Sequence, residues 1–285
     1  MASLAQIMGI NRRNLQLIYR YNPRAGFPVV DDKILTKEAL SQAGVPVPRT
    51  LRIVDSFLGA RLAVEELARE PSFVVKPARG SGGGGVLIVE SRPEGGWRTP
   101  SGRSLDREQL LQHLGDILFG VYSLGRADDR ALVEQRVVPH PFFREIYARG
   151  IADIRVILLK EQPVMSMMRV PTDASDGKAN LHQGAMGVRV SLADGRTGPG
   201  VYRGKQVTRH PDTDAPVSGR VLPFWSQLLE HARAAARAMP LKYVGVDLVI
   251  DAERGPLMLE VNARPGLQIQ VINDAGLVPA VESLQ

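Results

Sequence analysis

YVGVDLVIDAERGPLMLEVNARPG, residues 243–266, reads as two strands joined by a polar turn. Val244, Val246, Leu248 and Ile250 alternate along the first strand, and Leu257, Leu259 and Val261 along the second. Such period-two patterning marks strands with one face on a core. Asp251 to Pro256 supply the turn. A hairpin symmetric about Glu253-Arg254 sets Ile250 opposite Leu257 and Asp247 opposite Glu260. Directly opposed like charges destabilise a sheet, so a cation is expected to offset them. Glu260 and Asn262 share a face. Two carboxylates and an amide oxygen are hard ligands, of the kind Mg²⁺ takes beside phosphate oxygens. Asp247, Glu260 and Asn262 are therefore the candidate metal ligands. Two acids on a solvated sheet face would be the plainer alternative.

A second informative stretch is VVKPARGSGGGGVLIV, residues 74–89. A strand ends at Lys76, a glycine loop follows, and a second strand begins at Val86. Glycines let backbone N–H groups surround phosphate oxygens, and a lysine at the strand end neutralises their charge. The loop lacks the GK[ST] of a P-loop, and no helix follows it as in a dinucleotide fingerprint. A loop covering a nucleotide is the better description, although a ligand-free hairpin loop would read alike.

Further strands are expected at Ala131–Val138, Ile154–Lys160 and Val164–Val170, the last two a hairpin around Glu161-Gln162-Pro163. Helices are expected over 32–43, with Asp31 as N-cap and Gly44 as stop, and over 56–70, 104–119 and 221–239. Residues 3–20 read as an amphipathic helix or arm, and 171–184 as a loop. Mixing without strict βαβ alternation indicates an α+β class. The expected domains are 1–30, an N-terminal helix or arm; 31–130, a lobe carrying the glycine loop; and 131–285, a lobe carrying the acids.

Composition narrows the chemistry. The 285 residues contain no cysteine, which excludes disulfides, thiolate metal sites and a thiol nucleophile. No apolar run approaches the length of a membrane span, and no secretory signal is read at the start. The net charge of +6 favours anionic ligands. Aromatics at 5% are too sparse for a nucleic-acid stacking platform. Arg155 and Arg169 on the middle hairpin, Lys178 and Asn180 in the following loop, and Arg264 after the acids suit chemistry in which charge builds on oxygens.

In order, Asp32-Lys33, Val75-Lys76-Pro77, the glycine loop, LVEQ (132–135), DIR (153–155), NLHQG (180–184), Asp247 and EVNARPG (260–266) resemble the ATP-grasp superfamily. Within it the chain is most similar to RimK-type α-L-glutamate ligases, over about residues 31–267. The resemblance implies two α+β lobes clamping ATP, without a full separate N-terminal domain ahead of them. It implies that Lys33, Lys76 and the loop Ser81, Gly82, Gly83 and Gly84 contact phosphates. Glu134, Gln135 and Val137 would hold adenine and ribose, Asp153 the nucleotide sugar, and Lys178 would join these cofactor contacts. Asp247, Glu260 and Asn262 would hold one or two Mg²⁺ ions, with Mn²⁺ an alternative. Arg155, Arg169, Asn180 and Arg264 would stabilise an acyl phosphate and its tetrahedral successor.

The implied activity is a cytoplasmic ATP-dependent carboxylate–amine ligase adding or polymerising L-glutamate or a similar amino acid. Its partners would be amino acids or peptides, with no nucleic acid and no membrane span, and homo-oligomerisation left open. Three departures fall in the region expected to bind substrate. Few residues precede Asp31, the segment from Gln135 to Asp153 is long, and Arg264 replaces a small residue. A phosphotransferase acting on a small hydroxyl substrate, a non-catalytic ATP binder and a nucleic-acid binder are the alternatives.

Overall fold

Every long strand lies beside an antiparallel neighbour, as the period-two patterning demands. The computed structural model describes residues 4–80, 82–91, 96–100, 102–123 and 128–284. Among these, β1 (Thr50–Val54), β2 (Ser72–Pro77), β3 (Leu87–Ser91), β4 (Trp97–Arg98), β5 (Ser104–Leu105) and β6 (Ala131–Gln135) form one sheet in the order β1-β6-β2-β3-β4-β5. A second sheet comprises β7 (Asp153–Leu159), β8 (Gln162–Val170), β9 (Met186–Val190), β10 (Thr197–Tyr202), β11 (Lys205–Val207), β12 (Tyr243–Asp251) and β13 (Gly255–Asn262), ordered β11-β10-β9-β8-β7-β12-β13. Antiparallel sheets with helices segregated to their faces define the expected α+β class.

The chain divides into two compact units. The glycine-loop unit comprises Asp32–Ile34 and Pro48–Val137, and the carboxylate unit the remainder. This division corrects two expectations. Strand β6 belongs with β1 and β2, between which it pairs, and not with the residues after it. Gly120, at φ +72°, follows the end of the helix Arg107–Leu118. Residues 4–30 are no separate arm either. Leu17, Ile18 and Met8 are buried among Ile157, Met165 and Tyr243 of the carboxylate unit.

In the glycine-loop unit, helices Phe57–Leu67 and Arg107–Leu118 cover one sheet face. Their apolar residues recur at helical spacing: Ala60, Ala63, Val64 and Leu67 in one, Leu110, Leu114 and Ile117 in the other. Asp106 and Gln109 form a capping box that starts the second helix. These residues bury Phe73, Val75 and Val133 of β2 and β6. Each large aliphatic side chain so buried contributes about 1.5–3 kcal/mol. The opposite face of the same strands carries Val74, Lys76, Leu132 and Glu134.

In the carboxylate unit, helix Trp225–Ala238 covers Ile154, Val156, Met168, Val246 and Leu248. On the other face, the N-terminal segment and the helices Gln268–Asn273 and Leu277–Glu282 cover Ile157, Leu159 and Met167. That second face has a polar end, described below.

Two local expectations need correction. The helix Lys33–Gln42 is capped by Asp32, whose Oδ1 accepts the Ile34 N–H at 3.0 Å, and not by Asp31. The β7–β8 turn sits at Lys160-Glu161, both with positive φ, one residue earlier than the sequence suggested. Pro163 lies within β8 beside a bulge, where its missing N–H is tolerated.

Candidate active site

The polar end of the second sheet is a row across four adjacent strands. Asp153 pairs with Arg169 across β7 and β8, Arg155 with Asp247 across β7 and β12, and Asp247 with Glu260 across β12 and β13. Asn262 lies two residues beyond Glu260, on the same face. The expected Asp247–Glu260 pairing is present, but Ile250 faces Pro256 and not Leu257. A bulge between Leu248 and Asp247 restores the register at the acids.

Guanidinium groups hold Asp247. Arg155 Nε donates to Oδ1 and its Nη2 to Oδ2, both at 2.5 Å. Arg169 Nη2 donates to Oδ2 at 2.9 Å, and Asn262 Nδ2 donates to the same oxygen at 3.2 Å. Arg169 also forks onto Asp153, with Nε and Nη2 each 2.6 Å from a carboxylate oxygen. Such bidentate pairs are strong and directional. Asp153, Arg155 and Asp247 are buried. Burial pushes Asp247 up, but Arg155 and Arg169 outweigh it and hold the carboxyl below the usual range. Asp153 is pushed by burial to about 6, only partly offset by Arg169.

This arrangement adds a role that the sequence did not show. Both oxygens of Asp153 accept from Arg169, which makes it a holder of that arginine in addition to any nucleotide contact.

The donor set suits a divalent cation on charge grounds. Asp153, Asp247 and Glu260 carry three negative charges against two on Arg155 and Arg169, which leaves the row net anionic. Glu260 and Asn262 are half-buried at its edge. Oδ1 of Asp247 accepts from Arg155 Nε, and a carboxylate oxygen has two lone pairs. Among the described residues no cluster of three or more His, Cys, Asp or Glu side chains has metal-binding geometry. A cation here would therefore rest on two carboxylates and an amide, with phosphate or water completing the shell.

The other candidates of this unit have further partners. Arg264 reaches Asp31 at 3.3 Å and lies over the Phe27 ring, 4.2 Å from its centroid. Asn180 caps the short turn Leu181–Gln183 by accepting the His182 N–H at 3.0 Å. Lys178 is exposed in the same loop.

The glycine-loop unit gathers the remaining candidates. Lys76 Nζ meets Glu134 Oε2 at 2.5 Å. Glu134 is opposite Val74, so Lys76 is its diagonal neighbour on the face away from the helices. Lys33 Nζ donates to the Gly80 carbonyl at 2.5 Å. Gly82 and Gly83 turn the loop at φ +63° and +80°, and added Cβ atoms there would meet nothing within 4 Å. At Gly85 a Cβ would lie 2.5 Å from the Tyr122 ring. Ser81 lies outside the described residues. Gln135 and Val137 continue from β6 where the unit ends, with the Gln135 N–H bonded to the Arg49 carbonyl at 2.9 Å.

Sequence reasoning missed the groups that anchor this loop. Asp32, 2% exposed, accepts from Arg79 at 3.2 Å and from Arg130 at 2.9 Å. Asp129 accepts the Arg79 N–H at 3.1 Å and the Ser123 hydroxyl. Their signal was only an acid beside each basic residue, far apart in sequence.

Two sheets of this topology, with a lysine-bearing strand, a glycine loop and a distal carboxylate hairpin, define an ATP-grasp protein. The chain belongs to the sugar-transfer associated ATP-grasp family, whose model matches residues 12–285. It is 27% identical over 248 residues to a probable alpha-L-glutamate ligase of Mannheimia succiniciproducens, covering 87% of this chain and 60% of that protein. It is 25% identical over 250 residues to the ribosomal protein bS6–L-glutamate ligase of Shigella boydii, covering 88% and 61%. The chain thus spans about three fifths of the length of these curated relatives. Its fold is shared with a biotin carboxylase from Campylobacter jejuni, at TM-score 0.55, 15% identity and coverage of 90% and 46%. D-cycloserine synthetase DcsG gives TM-score 0.52, 14% identity and coverage of 92% and 71%. No helix among the described residues is long and apolar enough to cross a membrane.

Proposed function

We propose that the protein is an ATP-dependent ligase that joins a carboxylate to an amine through an acyl phosphate. The observation that carries this reading is the buried row Asp153–Arg169–Asp247–Arg155, ending at Glu260 and Asn262. It fixes two guanidinium groups beside acidic oxygen donors. A magnesium ion held by Asp247, Glu260 and Asn262 would offset charge on the transferring phosphoryl group. In the glycine-loop unit, Lys33, Lys76 and the loop backbone would bind phosphates, and Glu134, Gln135 and Val137 the base and ribose.

In the reaction, a carboxylate oxygen attacks the γ-phosphorus of ATP, and the β–γ bridging oxygen leaves with its electron pair as ADP. Amine nitrogen then attacks the acyl carbon. Arg155 and Arg169 face the negative charge that builds on the tetrahedral oxygen. The carbon–oxygen bond to phosphate breaks, the amine proton passes to solvent, and an amide and phosphate remain. No covalent enzyme nucleophile is required, in keeping with the absence of cysteine. Glutamate is the first carboxylate or amine to try, given the names of the relatives, and L-glutamyl chains are the finer possibility.

The test is phosphate release from ATP and Mg²⁺ against single amino acids, amino sugars and sugar alcohols, with mass spectrometry of the products. The sugars are included because of the family's sugar-transfer association. Amide products support the ligase. A phosphorylated hydroxyl compound without an amide would replace it with phosphotransfer.

A further inference from the structure

We propose that the outer face of residues 7–24 is a docking surface for an anionic lipid bilayer. Residues 1–30 contain four arginines, Arg12, Arg13, Arg20 and Arg24, and no aspartate or glutamate. Residues Ile10–Arg13, Asn14–Ile18 and Tyr19–Tyr21 run on as one helical stretch with a wide central turn, in which the Tyr19 N–H bonds the Asn14 carbonyl. The wide turn lets the adjacent Leu17 and Ile18 both point inward, where they are buried. Four large apolar residues remain outside beside the exposed Asn11 and Gln16: Ile7, Ile10, Leu15 and Tyr19 are 41%, 63%, 66% and 70% exposed.

This stretch is fixed at both ends. Gln270 accepts the Met8 N–H at 2.8 Å and donates to the Met8 carbonyl at 3.0 Å. Asn22, also buried, donates to the Tyr243 carbonyl at 2.8 Å and accepts N–H groups of Lys242 and Tyr243. The apolar face is therefore held out rigidly and is not a loose tail waiting to fold inward.

Charge complementarity selects the occupant. A second copy meeting this face through a two-fold axis would set the same patch against itself, arginine against arginine. The acid at its edge, Glu282, is already paired with Arg12 at 3.1 Å. Arg13 is held by the Pro265 carbonyl at 3.0 Å, so Arg20 and Arg24 are the charges that an anionic bilayer would meet. Arg20 and Arg24 are exposed beside the apolar residues, and Arg20 lies over the Tyr21 ring, 5.3 Å from its centroid. Aliphatic and tyrosine side chains flanked by arginine form the composition of an interfacial helix, which lies in the headgroup plane without spanning.

The experiment is sedimentation of the full chain with vesicles of phosphatidylcholine alone or with one third phosphatidylglycerol, at low and high salt. Binding is expected only with the anionic lipid and should weaken as salt screens the arginines. The pair Arg20→Ala/Arg24→Ala should lower partitioning roughly fivefold per arginine. Leu15→Ser/Tyr19→Ser should abolish it, while Leu58→Ser/Leu62→Ser, exposed apolar positions in the other unit, should leave it unchanged. All six side chains are solvent-facing, and circular dichroism reports that each variant is folded. Absence of binding to anionic vesicles overturns the proposal. So does binding indifferent to Leu15 and Tyr19. A dimer by light scattering that Leu15→Ser/Tyr19→Ser dissolves, without vesicle binding, would assign the face to a second copy.

Discussion

Asp247→Asn isolates what the buried guanidinium forks contribute. Asp247 is 3% exposed and accepts four hydrogen bonds, two from Arg155, one from Arg169 and one from Asn262. Asparagine has the same shape but only one acceptor oxygen. If its amide nitrogen replaces Oδ2, it faces three donors; if it replaces Oδ1, it faces Arg155 Nε. In either orientation at least one guanidinium N–H is left unpaired in the interior. Breaking a buried ion pair by removing one partner costs about 3–5 kcal/mol. Against a total stability of about 5–15 kcal/mol the variant should still fold. The urea midpoint, followed by circular dichroism, should fall accordingly. Arg155→Met alone should cost a similar amount, since it strips Asp247 of two bonds. The double variant should cost clearly less than the sum, because replacing both charges with neutral groups removes the uncompensated one. A coupling of about 2 kcal/mol is expected for groups in direct contact. ATP-dependent turnover should be lost in all three. Strict additivity, or an Asp247→Asn cost below about 0.5 kcal/mol, would refute the claim that these forks hold the row together.

Glu260→Gln should abolish phosphate release while shifting the thermal midpoint little, because Glu260 is half-buried at the edge of the row; normal turnover would remove it from the metal set. Lys76→Met leaves the buried Glu134 without its lysine, so ATP affinity measured by calorimetry should fall at least tenfold, with about 1–3 kcal/mol of stability lost; unchanged ATP affinity would contradict its phosphate role. Asp251 accepts N–H groups of Val138, Glu253 and Arg254. Its burial raises the carboxyl, but Arg254 and these backbone donors depress it overall to about 2. A depressed folded value stabilises the protein above the unfolded value and is lost as pH falls toward 2. Asp251→Asn should therefore cost about 1–2 kcal/mol at pH 7 and progressively less below pH 4 in urea titrations. A penalty that does not vary with pH would show that the carboxylate is not what holds this turn.

Period-two and helical patterning in the sequence by itself determined β2, β3, β6, β7, β8, β12, β13 and the long helices, because burial of alternating apolar residues permits few other arrangements, whereas β1, β4, β5 and β9 to β11 were not legible. It also determined the chemical types at the candidate site, since the acids, the arginines and the glycine loop are legible as residues. Register and long-range pairing were decided only by the tertiary structure. A β12–β13 hairpin read as symmetric set Asp247 opposite Glu260 correctly, yet Ile250 is opposite Pro256, and a bulge reconciles the two. In the β7–β8 hairpin the turn at Lys160-Glu161 and a second bulge set Asp153 opposite Arg169. A turn read at residues 161–163 misses that pair, and with it the guanidinium forks. Sequence alone set acid against acid and invoked only a cation. Three-dimensional structure supplied Arg155 from the adjacent β7 and Arg169 from β8 beyond it, 92 and 78 residues away from Asp247. Likewise the union of Asp32 with Arg79 and Arg130 spans 47 and 98 residues. A one-residue slip in a strand reverses which face every side chain occupies, so side-chain neighbours across a sheet follow from turns and bulges, whose geometry depends on the packing around them.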